Sequence, residues 1–323
     1  MKPAAFEYHR PRSLDEALSL LDDHGGEAKP LAGGQSLIPA MNFRLATPAV
    51  LIDLNALEEL AYIRTSNDTG AQGAERGVGA PRAPEPGGVQ GPPPIRIGAM
   101  TRHRVVEHSP EVRGSAPLVH ETMPFIAHPA IRTRGTIGGS LAHADPAAEL
   151  PAVMLALNAG FTLRRRDSTR DVGAEDFFTG LFSTALEPGE LLTEIAIPAP
   201  VGARYGYAFQ EFSRRHGDFA LAGVAVAVAL DAASRCSHAR IALLSVGDRP
   251  LLATRAAAML VGQTPTQEAI RAAAELAAAE EIDPTSDIHA SSRYRRHLAN
   301  VLTRRTLERA FERAKPHHED TKT

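Results

Sequence analysis

Two short segments each pair adjacent glycines with a serine close behind, and they constrain this chain more than any other feature. The first runs Leu31-Ala32-Gly33-Gly34-Gln35-Ser36-Leu37, and the second Gly135-Thr136-Ile137-Gly138-Gly139-Ser140-Leu141. Glycine lets a backbone turn through positive φ and lets successive N–H groups close on an anion. A following serine adds a further donor. Two such segments facing one another would hold a pyrophosphate without lysine or arginine. That suits a tightly held dinucleotide better than a triphosphate undergoing transfer, where lysine and metal usually act. One segment alone is weak evidence and reads first as an ordinary turn; it is the repetition that argues for a shared task. No G-x-x-x-x-G-K-[ST], H-E-x-x-H or G-x-S-x-G motif occurs, and no G-x-G-x-x-G opens a helix after a strand.

The elements around these segments alternate between strand and helix patterns. Ser13 and Glu16 form a capping box, Leu14, Ala17, Leu18 and Leu21 make one helical face, and Gly25-Gly26 supplies a left-handed stop. Ala28–Ala32 and Ala49–Leu54 read as strand-like, as do Leu60–Arg64 and Ile95–Gly98. Between the last two, Asn67–Pro94 holds 7 Gly and 6 Pro in 28 residues, the composition of a disordered surface insertion. Asp145 followed by Pro146 predicts a helix start, with Glu149 one turn on. A carboxylate there could accept hydrogen bonds from ribose or ribityl hydroxyls, or could be an exposed helix glutamate. Glu149–Ala159 reads as buried helix, and Phe161–Arg165 and Leu192–Ile197 as strands. After Pro198–Gly202, Phe219–Leu230 and Ala239–Val246 read as further strands. Thr264, Pro265 and Gln267 open an Ala-rich helix as N-cap, N1 and N3, and Ser292–Ala314 forms a last helix. Its arginines at 293, 295, 296, 304, 305, 309 and 313 read as a solvated face or as a docking surface for an acidic partner.

Composition narrows the function. At about 150 residues per domain, 323 residues predict two domains and a smaller third piece. The boundaries fall at 1–57, 58–198 (with the 67–94 insertion) and 203–314, followed by a polar tail at 315–323. The single cysteine, Cys236, is too few for a disulfide framework, an all-cysteine zinc site or a self-contained iron–sulfur cluster, and fits a reducing cytoplasm. The 13 histidines show no metal-ligand spacing on a shared helix face. A formal net charge of −3 gives no electrostatic case for nucleic acid, and the absence of Trp argues against a stacking groove for single strands. The longest apolar run, Phe219–Leu230, falls far short of the ~20 residues of a membrane helix, and the N-terminal residues lack the pattern of a secretory signal.

Four motifs occur in order: Ala32-Gly33-Gly34-Gln35-Ser36, Ile97-Gly98-Ala99-Met100-Thr101, Ile126-Ala127-His128-Pro129-Ala130-Ile131-Arg132, and Arg134-Gly135-Thr136-Ile137-Gly138-Gly139-Ser140. With Phe209–Ala220 and Tyr294-Arg295-Arg296-His297-Leu298, they make the chain resemble the FAD-binding medium subunits of molybdenum hydroxylases. Aerobic carbon monoxide dehydrogenase is the nearest likeness, and the xanthine dehydrogenase flavin subunit follows. The resemblance covers nearly the whole chain outside the 67–94 insertion.

The resemblance implies an α+β fold: a two-subdomain FAD-binding unit of the vanillyl-alcohol-oxidase (PCMH) type, then a smaller α/β C-terminal domain. It implies that Ala32, Gly33, Gly34, Gln35, Ser36 and Leu37 meet the pyrophosphate from one side and Gly138, Gly139 and Ser140 from the other, with Thr101 and Thr136 donating nearby. Glu149 stands where the family usually has Asp for FAD hydroxyls. Leu192 would pack near the adenine, His128 beside the isoalloxazine, and Gln210 where some relatives carry Lys near the flavin. No residue need act on a substrate. Hydroxylation would occur at a molybdenum cofactor on a large subunit, and a small subunit with two [2Fe–2S] clusters would feed electrons through FAD to NAD⁺, a quinone or oxygen. A free-standing FAD oxidase or dehydrogenase and a scaffold module that has lost FAD are the other readings. Nothing resembles a substrate domain with an acid/base pair, and both glycine segments are intact, which favours the relay.

Overall fold

The computed structural model describes residues 2–65 and 92–315. The insertion expected at 67–94 falls outside the described residues except for Pro92–Pro94, and so does the tail beyond Lys315.

The first sheet is small and parallel. β1 (Glu7–His9), β2 (Ala28–Leu31) and β3 (Val50–Asp53) lie in the order β1-β3-β2. Helix α1 (Leu14–His24) covers it with Leu14, Ala17, Leu18 and Leu21 buried against Ile52 and Leu57. Ser13 caps α1 by accepting from the Glu16 N–H, and Gly25 ends it at φ +50°. Glu16 does not complete the reciprocal box, since its carboxylate accepts from the Arg12 amide instead. The short helix α2 (Leu37–Asn42) follows the first glycine segment directly.

The second sheet has five antiparallel strands. They are β4 (Ile63–Thr65), β5 (Ile95–Gly98), β6 (Gly160–Arg165), β7 (Ser168–Gly173) and, after the hairpin of β8 (Phe178–Gly180) and β9 (Ser183–Thr184), β10 (Leu191–Ile197). The order is β4-β5-β10-β6-β7. Leu60 falls in a short 3-10 turn, so β4 begins later than the sequence pattern suggests. Between β5 and β6 run α3 (His103–His108), α4 (Pro110–Ser115), α5 (Pro117–Thr122), α6 (Pro129–Arg132), α7 (Ile137–His143) and α8 (Glu149–Ala156), while α9 (Ala174–Phe177) follows β7. Every residue of α8 is buried. Asp145-Pro146 does not start that helix. Asp145 accepts from the Ala147 N–H in a local turn, and α8 begins at Glu149. The difference is physical: a short Asp side chain closes a turn as readily as it caps a helix.

The C-terminal sheet is antiparallel, with β11 (Arg204–Phe212), β12 (Ala222–Leu230), β13 (Cys236–Leu244) and β14 (Leu251–Leu252) in chain order. Helices α10 (Thr254–Leu260), α11 (Gln267–Glu280) and α12 (Ser292–Ala314) cover one face. The N-cap of α11 is Thr266, not Thr264; Thr266 accepts from the Ala269 N–H. The two faces of the sheet are packed differently. Val224, Val226 and Val228 of β12 join the helix-side core, whereas Phe209, Ala225, Ala242 and Leu244 join the core of the five-stranded unit. This explains why β12 alternates Val with Ala: both faces are buried, and the alanine side admits α8. Gly206 lets α12 lie on β11, for a Cβ there would sit 1.9 Å from the Ala310 carbonyl oxygen. Arg295, expected among solvated arginines, is buried; it donates to the Leu221 carbonyl at 2.7 Å and pairs with Asp287 at 2.7 Å. Arg313 pairs with Glu121 at 2.6 Å and lies over the Tyr207 ring.

Candidate functional site

The two glycine segments lie against each other. A Cβ on Gly33 would sit 2.5 Å from the Arg134 carbonyl oxygen and 2.8 Å from the Gly135 Cα. A Cβ on Gly139 would sit 3.3 Å from the Ala32 Cβ. Glycine is required at this seam because two main chains pass where side chains would collide. Gly34 has a different reason, since it alone of the four paired glycines has positive φ, +72°.

The seam is tied by side chains. Asn55 donates to the Ala32 carbonyl at 3.0 Å, and Arg102 donates to the Asn55 carboxamide oxygen at 2.5 Å and to the Arg134 carbonyl. Asn55 is held by Asp53, which also accepts from the Tyr8 hydroxyl; Tyr8 and Asn55 keep the Asp53 carboxyl below its usual range against the opposing effect of burial. Burial, and Arg134 nearby, pull Arg102 below the usual guanidinium range. Thus two arginines flank a seam that the sequence reading leaves without cations. Asn55 and Arg102 had no motif of their own, although Arg102 follows the quoted Thr101 directly. A cavity of about 720 Å³ opens beside the seam, lined by Asn55, Glu58, Tyr62, Thr101, Arg102 and Arg104 among others.

The segments differ in what they offer. Among the described residues, no main-chain acceptor engages the N–H groups of Gly33, Gly34, Gln35, Ser36 or Leu37; they stand at the turn into α2. The second segment is already satisfied. The N–H of Ile137 goes to the Thr101 carbonyl at 3.0 Å, that of Gly138 to Ala99 at 2.9 Å, that of Gly139 to the Thr136 hydroxyl at 3.1 Å, and that of Ser140 to the Thr136 carbonyl at 3.1 Å. Gly138 and Gly139 are the first turn of α7 capped by Thr136, and the segment follows α6 rather than a strand. The expected two-sided cradle of amides is therefore corrected. The first segment presents amides; the second presents a close-packed wall, with Gly138 admitting Ala99 at a virtual Cβ distance of 2.4 Å. Thr101 is buried, donates to the Tyr62 carbonyl at 3.0 Å and so supports this wall. Beneath it, His103 is buried below Gly135, and desolvation pushes its pKa down to about 4, which keeps the ring neutral.

His128 sits in a loop held by Arg132. That guanidinium donates to the carbonyls of Ile126 at 2.9 Å and Ala127 at 3.2 Å, and pairs with Glu107 through two bonds of 2.8 and 3.0 Å. Ala127 is thereby fixed at φ +46°, a conformation uncommon outside glycine. The loop meets the C-terminal unit at Gly217, where a Cβ would lie 2.4 Å from His128 Cε1.

The remaining expected residues are placed as follows. Leu192 lies in the main core on β10. Glu149 opens α8, and burial pushes its carboxyl up to about 7. Gln210 lies on the helix-side face of β11. It pairs with Val224, whose side chain belongs to the helix-side core, while its neighbours Phe209 and Glu211 face the five-stranded unit. Side chains alternate along a strand, so a displacement of one residue reverses the face. Glu211, not Gln210, stands near Glu149, whose charge adds to burial in pushing the Glu211 carboxyl up to about 8.

Comparison with known proteins agrees with this architecture. Residues 4–75 and 92–200 match the family described as FAD binding domain in molybdopterin dehydrogenase, and residues 207–310 match the CO dehydrogenase flavoprotein C-terminal domain. The chain is 41% identical to the 6-hydroxypseudooxynicotine dehydrogenase complex subunit alpha of Paenarthrobacter nicotinovorans, covering 98% of both chains. It is 39% identical to the carbon monoxide dehydrogenase medium chain of Afipia carboxidovorans, covering 98% of this chain and 100% of that one. Among solved structures, carbon monoxide dehydrogenase from Hydrogenophaga pseudoflava lacking the Mo-pyranopterin moiety of its cofactor superposes with a TM-score of 0.85 at 39% identity, covering 97% and 99% of the two chains.

Proposed function

We infer that this chain, which belongs to the family of FAD-binding medium subunits of molybdenum hydroxylases and has FAD as its cofactor, relays electrons within an oxidoreductase complex. In this reading, electrons arrive from [2Fe–2S] clusters on a small subunit, after a substrate is oxidised at the molybdenum cofactor of a large subunit. They leave to an external acceptor such as NAD⁺, a quinone or oxygen. The chain acts most like a carbon monoxide dehydrogenase medium subunit, with a xanthine dehydrogenase-type flavin subunit as the second reading. The observation that carries it is the seam of Gly33 against Arg134–Gly135, where, among the described residues, the amides of one side only have no main-chain acceptor.

The residues present fit the coenzyme. The amides of Gly33 to Leu37 and the Ser36 hydroxyl bind the diphosphate, with Arg102 and Arg134 supplying positive charge beside them. Gly138, Gly139 and Ser140 form the opposite wall, and the two glycines let it pack closely on Ala99, Thr136 and Ala32. Thr101 and Thr136 hold that wall in place, and Arg102 and Asn55 hold the segments together. Glu149 accepts hydrogen bonds from coenzyme hydroxyls. His128, fixed by Arg132, flanks the ring together with the Gly217 turn and limits water there. FAD, once bound, accepts electrons singly or in pairs, which is the chemistry a relay needs. Cys236 is the one cysteine of this sequence, too few for an iron–sulfur cluster, so in this reading the clusters lie on another polypeptide.

Affinity purification of the native protein, followed by flavin, iron and molybdenum analysis, tests this. Recovery of FAD with two partner chains that carry iron and molybdenum is expected. A flavin-bearing chain that purifies alone and is reduced directly by a small molecule would instead make it a free-standing enzyme.

A further inference from the structure

The tie across the glycine seam ends on a buried carboxylate. Strands β2 and β3 run parallel, and their last register pair is Leu31 with Asp53. The first glycine segment follows at once with Ala32, while the chain beyond Asp53 makes a 3-10 turn over Leu54–Ala56. Asp53 is 8% exposed. It accepts from the Asn55 N–H at 2.9 Å, from the Asn55 carboxamide, and from the hydroxyl of Tyr8 on the neighbouring strand β1. Burial opposes its charge, yet the bonds from Tyr8 and Asn55 keep the carboxyl below its usual range, so at neutral pH it is ionised and only accepts.

The partners of Asn55 leave its carboxamide a single orientation. The Asp53 carboxylate and the Ala32 carbonyl only accept, so both need the NH2 group; the Arg102 guanidinium only donates, so it needs the oxygen. The distances agree, with 3.0 Å from Asn55 Nδ2 to the Ala32 carbonyl and 2.5 Å from Arg102 to Asn55 Oδ1. A reversed carboxamide would set its oxygen against two acceptors and its NH2 against a cation. Arg102 is bonded in turn to the Arg134 carbonyl, and its main chain bridges to Thr136, the cap of α7. The two carbonyls held in this way stand at the tightest point of the seam. Ala32 precedes Gly33, and the Arg134 oxygen is the atom that a Cβ on Gly33 would meet at 2.5 Å.

We propose that Asp53 is a positioning residue of the diphosphate site: its carboxylate sets which way the Asn55 carboxamide faces, and through it holds the amides of residues 33–37 in register with the second glycine segment. The proposal rests on the reading that those amides bind the coenzyme's diphosphate. Tyr8 anchors the carboxylate from the adjacent strand. Without Asp53, the Asn55 carboxamide is free to turn, and the Ala32 and Arg134 carbonyls are no longer held by one continuous line of bonds.

The test compares FAD dissociation constants, measured by flavin fluorescence, of full-length wild-type and variant chains freed of flavin. The temperature is one at which circular dichroism shows each flavin-free chain to be folded. Asp53→Ala is expected to weaken binding about tenfold or more, the scale of one hydrogen bond to a charged group. Asp53→Asn should return affinity to within about threefold of wild type, because its oxygen can face Asn55 and its NH2 the Tyr8 oxygen. Asn55→Asp exchanges one nitrogen for oxygen: it keeps an acceptor for Arg102, removes the donor to Ala32 and faces Asp53 with a like charge. It should lose about as much as Asp53→Ala, and it reads the same link even where Asp53→Ala does not fold. A purely structural Asp53 would lower the melting temperature and leave the dissociation constant alone. A folded Asp53→Ala or Asn55→Asp chain that binds FAD as tightly as wild type, or an Asp53→Asn chain as weak as Asp53→Ala, would overturn the positioning role while leaving the FAD site standing. A wild-type chain that takes up no FAD would overturn the site reading itself, and the proposal with it.

Discussion

Substituting Gly33 with alanine probes the seam where the two glycine segments meet. The added Cβ would lie 2.5 Å from the Arg134 carbonyl oxygen and 2.8 Å from the Gly135 Cα, both of them backbone atoms that no rotamer change can move. Ordinary carbon contacts begin near ~3.5 Å, so the seam has to open by roughly 1 Å. Overpacking of this kind costs about 1–3 kcal/mol. At ~1.4 kcal/mol per tenfold, that corresponds to roughly 5- to 150-fold in an equilibrium constant. The cost divides between folding and coenzyme binding, so both have to be read: thermal unfolding of the flavin-free chain by circular dichroism, and FAD affinity by fluorescence. Asn55 and Arg102 lose their alignment when the seam opens, so most of the loss should fall on FAD. Gly26→Ala serves as the control, because nothing lies within 4 Å of a Cβ there. A Gly33→Ala chain matching wild type in both melting temperature and FAD affinity would refute the reasoning.

Other perturbations separate the remaining parts. Arg132→Met leaves Glu107 without its partner and removes the donors to the Ile126 and Ala127 carbonyls; a loss of about 3 kcal/mol is expected in urea unfolding. Arg102→Ala should weaken FAD binding more than it lowers the melting temperature, as checked by the same pair of measurements. The flavin-free chain should show a pH-dependent gain from Glu211→Gln. The folded-state pKa of this carboxyl is raised, so its contribution is fully present below about pH 4.5 and is lost as pH rises through about 8. Melting temperatures of variant and wild type should therefore lie closest near pH 5, separate progressively between about pH 5 and 8, and stay apart by a constant amount above that, with the variant more stable. Shrinking 67–94 to a short turn should leave flavin content unchanged, as read from absorbance.

Much of the framework was legible because local chemistry and tertiary structure agree. Ser13 does cap α1, Gly25 does end it, and Ser292–Ala314 is helix over the range its pattern predicts. Where local signals carried two meanings, tertiary packing decided. Asp145-Pro146 makes a turn because α7 ends at Ala144 in the left-handed region and α8 cannot begin until the chain has reversed. Gly138 and Gly139 look like Gly33 and Gly34 in sequence, yet they enter a helix whose amides are consumed by Ala99 and Thr136. The helical arginines split for a similar reason: Arg295 is drawn inward by carbonyls of residues 221 and 245, distant in sequence. Gln210 and Glu211 were indistinguishable without the strand register, because only the pairing with β12 shows which of them faces α8. Asn55 and Arg102 carry no signature at all; their partnership exists only once β3 and β5 have brought their loops together.

The central claim is that one glycine segment supplies donors and the other a wall. Hydrogen–deuterium exchange of the chain with and without saturating FAD tests it most directly. The amides of residues 33–37 should exchange quickly in the free chain and slow markedly on binding. Those of residues 137–140, already bonded, should be slow in both states. Saturation with FAD that leaves 33–37 exchanging as fast as before would contradict the account.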